Sequence, residues 1–248
     1  MPNWKKIVIV TLNIVIGVYL VFAMTSFNKP EQRSSVCTAV QVSIEHSDPE
    51  GFLSENDVCE MLGDAHLMPV GRPMDHISVR KITETLAASD LIEQAQCYKT
   101  QAGHVCISIR QRVPVLRVMA DSGADYYVDN HGTTIKSPGY ACNVIVATGA
   151  ISPAYARDSL VGVANEILAS QFWKNQVVQL NVLGDGTVEM VPRVGDHIVC
   201  LGQPVGIGRK LSRLLTFYRE GLSQAGWNRY SRISVEFDNQ IVCKRKKK

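Results

Sequence analysis

Two aspartates four residues apart, Asp125 and Asp129, are the nearest thing in this chain to an acid–base pair. Paired carboxylates can share proton transfer when their environments separate their pKa values. These two sit beside Asn130 and Gly132, a composition that forms turns, so turn-making aspartates are the better reading. Asp185, inside Gly184-Asp185-Gly186, reads the same way. A second lead is the glycine run Gly202-Gln203-Pro204-Val205-Gly206-Ile207-Gly208, followed by Lys210. Its spacing is wrong for a phosphate loop, and Lys210 has no Ser or Thr directly after it. A strand-to-helix connection that needs permissive φ angles accounts for it. The six histidines, His46, His66, His76, His104, His131 and His197, are scattered. The seven cysteines, Cys37, Cys59, Cys97, Cys106, Cys142, Cys200 and Cys243, contain no C-x-x-C and no zinc-ligand spacing. Most lie in apolar patterns, as buried thiols do. There is no G-x-S-x-G, H-E-x-x-H or Walker sequence. The sequence therefore assigns no catalytic residue, no metal and no cofactor.

The elements around these residues begin with an uncharged run, Ile7–Met24, long enough to cross a bilayer core of ~30 Å as a helix. A cleaved signal peptide and an uncleaved anchor compete for it. Lys5 and Lys6 suit either, but the run is long for a signal core and Ala23-Met24-Thr25 is a poor cleavage site. An uncleaved anchor is favoured, with the short N-terminus kept in the cytoplasm and the bulk exported. A net charge of +3 is too small to argue for nucleic acid. Much of it sits in Lys244–Lys248, which reads as a frayed, solvated tail.

After a linker over 25–35, Cys37–Glu45 alternates with Val40, Val42 and Ile44 on one side, a half-buried strand. Asp48–Gly51 reads as a turn. Ser54 can cap a helix through Leu62, closed by Gly63. A second helix covers Ile77–Ser89, and Leu91–Tyr98 with His104–Arg112 form a hairpin around Gly103. Burying Val105, Ile107 and Ile109 turns Cys106 outward and Cys97 inward, so no disulfide is expected between them. Two helices over a three-stranded sheet make a two-layer α+β domain.

From Val115 the pattern becomes short strands with two long helices, Tyr155–Trp173 and Gly208–Ala225. Strands are predicted at 116–120, 126–129, 133–135, 144–148, 177–182, 188–191 and 197–201. Arg232–Phe237 and Gln240–Lys244 close the chain as a hairpin over Asp238-Asn239.

The order β-α-α-β-β directly after an apolar anchor resembles the POTRA domain, and ISIRQRVPVLRV (107–118) resembles its closing strand. YYVDNHGTTI (126–135), LGDGTVEMVP (183–192), VCLGQPVGIGRKLSRLLTF (199–217) and WNRYSRISVEF (227–237), in that order, resemble the FtsQ/DivIB family of single-pass bacterial division proteins. Ser234, Val235 and Glu236 depart from the aspartate-leucine-arginine run frequent there. The implied fold is α+β. It has a cytoplasmic tail over 1–6, a membrane helix over 7–24, a linker over 25–35, a POTRA-like domain over 36–112, a β domain over 113–243 and a basic tail over 244–248. The resemblance implies a non-enzymatic scaffold at the division septum of the inner membrane, which binds FtsB (DivIC)- and FtsL-type partners and helps control septal wall synthesis. The implied binding residues are those of the last strands: Tyr230, Arg232, Phe237, Gln240, Ile241, Val242 and Cys243. A terminal strand paired on one side only leaves backbone groups open to another chain. The rival readings are a wall-active enzyme using Asp125 and Asp129, and a POTRA-bearing assembly or secretion factor. The second exported domain has too few long amphipathic strands for a large barrel.

Overall fold

A computed structural model describes residues 4–27, 36–45, 53–136 and 142–246. The turn expected at 48–51 and most of the linker lie outside these residues. Helix α1 (Trp4–Phe27) is apolar, and its 6–24 stretch is long enough to cross a membrane, with none of it buried against the rest of the protein.

The first domain is a three-stranded sheet under two helices. Strands β1 (Ala39–Glu45), β2 (Ile92–Lys99) and β3 (His104–Gln111) lie in the order β1-β3-β2, with β1 parallel and β2 antiparallel to β3. Helices α2 (Glu55–Asp64) and α3 (Val79–Ala87) present Val58, Leu62, Ile82 and Leu86 to Val105, Ile107 and Ile109. Ser54 caps α2 and Asp57 returns the bond in a capping box, an arrangement whose loss costs about 1 kcal/mol. Gly63 does not stop this helix. The chain runs through it to Asp64, and the left-handed turn falls on His66, at φ 54°. Leu67 N–H then reaches the Leu62 carbonyl and His66 N–H the Gly63 carbonyl, which satisfies the last turn. The hairpin register sets Cys97 opposite Ile107 and Cys106 opposite Tyr98, so the two thiols face opposite sides of the sheet.

The second domain is built on a nine-stranded sheet: β4 (Pro114–Ala120), β5 (Asp125–Asp129), β6 (Thr134–Lys136), β7 (Ile145–Gly149), β8 (Val177–Val182), β9 (Val188–Pro192), β10 (Ile198–Gly202), β11 (Tyr230–Ser234) and β12 (Val242–Arg245). The spatial order is β12-β11-β10-β9-β8-β7-β4-β5-β6. Its core joins Leu116, Val118, Ala147, Leu180, Met190, Val199 and Ile233 to Leu160, Ile167, Leu211, Leu214 and Leu222 of the helices.

The first long helix differs from its expected span. It starts as α4 (Pro153–Tyr155), capped by Ser152, and passes through a π segment (Ala156–Leu160) into α5 (Val161–Leu168). It breaks at Ala169-Ser170 before α6 (Gln171–Gln176), so Trp173 belongs to a separate short helix. The second runs from α7 (Ile207–Thr216) through a π segment (Phe217–Leu222) to Ala225. Gly221 leaves room there for the Phe217 ring, which a Cβ would meet at 2.8 Å.

The terminal hairpin is also shifted. Its strands are Tyr230–Ser234 and Val242–Arg245, joined by a connection of seven residues in place of a tight Asp238-Asn239 turn. Lys244 and Arg245 therefore belong to β12, and a basic tail does not begin at 244. Pairing continues to Lys246, whose N–H reaches the Arg229 carbonyl. The bulge at Tyr230/Arg232 absorbs the extra β11 residue, Ser231.

Candidate partner-binding edge

The last strand pairs with β11 and with nothing on its other side among the described residues. Its backbone directions follow from one bond. Lys246 N–H points to β11. Alternation along an antiparallel strand turns the N–H groups of Lys244 and Val242 the same way, and those of Cys243 and Arg245 to the open side.

The expected site residues occupy three different places. Val242 and Cys243 lie on the edge strand; Val242 is exposed, while Cys243 packs against the core beside Ile233. Phe237, Gln240 and Ile241 lie in the connection before it, and Phe237 is 51% exposed. Tyr230 and Arg232 belong to β11, one strand in from the margin. Arg232 is already engaged. Its guanidinium pairs with the buried Glu189 carboxylate of β9, and its Nε lies 3.1 Å from Cys200 Sγ.

Sequence reasoning missed the groups that hold this edge in place. Arg213 of α7 donates to the carbonyls of Val235 (2.8 Å), Phe237 (2.6 Å) and Asp238, fixing the connection before β12. Between that connection and the helix lies an open groove of about 540 Å³, lined by Phe217, Glu220, Gln240 and Ile241 among others. Lys246 Nζ lies 2.9 Å from Asp196 Oδ2, tying the strand's end to the loop before β10. In that loop His197 is 2% exposed, with Nε2 2.7 Å from Tyr218 Oη and Nδ1 without a hydrogen-bond partner among the described residues. Trp173, Phe172 and Trp227 pack around Tyr218. Burial pushes the His197 imidazole below its ordinary pKa and the Tyr218 phenol above its own.

The groups first considered for chemistry are occupied structurally. Asp129 is buried at 1% exposure. It accepts from the N–H groups of His131 (3.0 Å) and Thr133 (2.7 Å) and from Arg112 Nη1 (2.9 Å). Asp125 is held by Nε and Nη2 of Arg117, at 3.0 and 2.7 Å, which lowers its pKa. Their Cα atoms are four strand residues apart, about 13 Å. Lys210 is buried and donates to the carbonyls of Leu201 and Gln203, both at 2.8 Å. It closes the β10–α7 loop, whose Gly202 and Gly206 take positive φ. All seven cysteines are thiols. Burial raises the pKa of Cys97 to about 11 and raises those of Cys200 and Cys243, so these thiols are poor nucleophiles. Among the described residues no three His, Cys, Asp or Glu side chains gather as metal ligands would.

The two domains meet at a charged joint. Besides Arg112–Asp129, His131 lies 3.7 Å from Glu93 and Lys136 3.8 Å from Asp90.

A search of curated proteins finds no match to the chain. Two family models do match. One, described as a POTRA-like domain, covers residues 35–110, which include both helices and all but the last residue of the three-stranded sheet. The other, described as FtsQ/DivIB, C-terminal related, covers residues 113–244, more than half of the chain and all but the last residue of the nine-stranded sheet. FtsQ/DivIB is a family of non-enzymatic division proteins. With an apolar helix, a POTRA-like domain and this β domain in that order, the chain belongs to the FtsQ/DivIB family.

Proposed function

We propose that the chain is a divisome scaffold that works by binding, not by bond-making. The apolar helix is an uncleaved anchor, the short N-terminus is cytoplasmic, and residues 36–246 act outside the inner membrane at the septum. There the open side of β12 takes up a strand from an FtsB (DivIC)-type protein associated with an FtsL-type partner, and so influences septal wall synthesis. The observation that carries this reading is the position of β12 at the end of its sheet, with the backbone groups of Cys243 and Arg245 turned to the open side and unpaired among the described residues. Main-chain pairing of this kind tolerates the departures at Ser234, Val235 and Glu236, because backbone hydrogen bonds do not depend on side-chain identity. The arginines on Asp125 and Asp129 argue against the wall-enzyme alternative.

The test is capture of an FtsB-type protein by the full chain carrying Arg245→Pro, compared with Arg245→Gln. Proline removes an N–H that points away from β11, so it leaves the β11–β12 ladder intact while blocking addition. Strong loss with proline and retention with glutamine is expected. Equal capture by both variants refutes the edge as the docking strand.

A further inference from the structure

We propose that the strand which completes this sheet is acidic: a partner segment with carboxylates at alternate positions, and not a second copy of this chain. The proposal rests on β12 being the docking strand and adds the chemistry of what docks there.

Three cations follow one another at the margin, Lys244, Arg245 and Lys246. Lys246 is matched by Asp196, and Arg232, opposite Lys244 in register, is matched by Glu189. Lys244 and Arg245 have no carboxylate within ion-pairing distance among the described residues, and both are exposed. Neighbouring residues of a strand project to opposite faces, so these two unmatched charges flank the open backbone on both sides of the sheet. Lys244 shares a face with Arg232, and Arg245 shares the other with Tyr230.

An added strand brings its Cβ atoms to within ~5 Å of those opposite and ~7 Å of the diagonal ones. A carboxylate at such a position is attracted; an ammonium or guanidinium is repelled. Two copies of β12 overlapping about their centres would set Lys244 and Arg245 of each opposite or diagonal to those of the other. The same charges that invite an acidic strand therefore oppose self-pairing, the usual protection of an exposed edge. A facing carboxylate strengthens pairing about 1.5- to 5-fold relative to a neutral residue, and two of them roughly tenfold at low salt.

The experiment uses the full chain in detergent micelles and fluorescein-labelled nine-residue peptides. They share one β-forming frame and carry Glu, Gln or Lys at alternate positions; a fourth carries Glu with two prolines inserted. Anisotropy is read at 50 and 300 mM salt. The expected order is Glu tighter than Gln by roughly tenfold and Gln tighter than Lys, with the spread shrinking at high salt. The proline peptide should not bind. Lys244→Gln/Arg245→Gln, checked for folding by circular dichroism, should bind Glu and Gln peptides alike. Equal binding of Glu and Gln peptides by the parent, with the proline peptide still inert, overturns the acidic partner and leaves strand docking standing. Binding of the proline peptide as well as its parent reveals polyanion capture by a basic segment, as for a lipid or wall polymer, and overturns both. Failure of every peptide to bind up to millimolar concentration also overturns both. A dimer of the chain that Arg245→Pro abolishes would show that β12 accepts itself, against the proposal.

Discussion

Replacing Arg112 with Met tests the joint between the domains. Asp129 is 1% exposed and Arg112 about a fifth exposed, with Nη1 2.9 Å from Oδ2 and 3.3 Å from Thr133 Oγ1. Methionine keeps most of the apolar stem, so the loss isolates the guanidinium. The carboxylate would retain the two N–H groups of His131 and Thr133 and lose its counter-ion. Removing one partner of a fully buried pair costs ~3–5 kcal/mol. Water reaches Arg112, and its Nε is buried without a hydrogen-bond partner among the described residues, so its removal relieves a small penalty. Both considerations bring the expected cost down to about 2–3 kcal/mol. Urea unfolding followed by tryptophan emission suits the measurement, because Trp173 and Trp227 both lie in the β domain. Asp129→Asn preserves an acceptor for the two N–H groups and should cost less. The double variant should show a coupling of about 1–2 kcal/mol. A cost for Arg112→Met below ~0.5 kcal/mol, the level of an exposed pair, would refute the claim that this ion pair fastens the joint.

Acid should weaken the β domain through His197. Its folded pKa is depressed by burial, opposed by Asp196 and reinforced by Lys246, whereas the unfolded imidazole titrates near ~6.5. Below that pH the unfolded chain binds the proton more readily, so stability is flat above ~6.5 and falls as pH drops toward the folded pKa. His197→Gln should flatten the fall in urea midpoint between pH 7.5 and 5.5, and an unchanged slope would exclude His197 as the cause. Lys210→Met removes two buried hydrogen bonds to the β10–α7 loop and should cost about 2–3 kcal/mol in urea; a loss under ~1 kcal/mol would mean the loop closes without it. His66→Gly places the permissive residue at a left-handed position and should stabilise the POTRA-like domain by about 1 kcal/mol, read by circular dichroism melting; destabilisation would contradict that account.

Features governed by near neighbours along the chain were legible in the sequence. The alternation of Val40, Val42 and Ile44, the cap at Ser54 and the face of Ile82 and Leu86 are period and capping signals, and each element formed within two or three residues of its expected place. Local signals misled where two satisfactory solutions exist. Gly63 is an ordinary stop residue, yet α2 passes through it because the satisfied end lies at His66. Nothing in Leu168-Ala169-Ser170 breaks a helix by composition; the break serves to seat Trp173 beneath Tyr218. The basic run after Cys243 looked like a solvated tail because charge was read without register. Pairing with Tyr230 and Arg232, and the Asp196 partner, come from residues distant in sequence. Arg112–Asp129 and Arg213 with its three carbonyls were invisible for the same reason.

The strand order gives the sheet a head and a tail. Eight spacings of ~4.8 Å separate its two outermost rungs, roughly 38 Å along the ladder. One outermost rung is only three residues long, and its Lys136 leans on Asp90 of the preceding domain, so growth there is blunted. Among the described residues the ladder stays open at the far side, where a tenth rung would lie at the end of the sheet remote from the preceding domain.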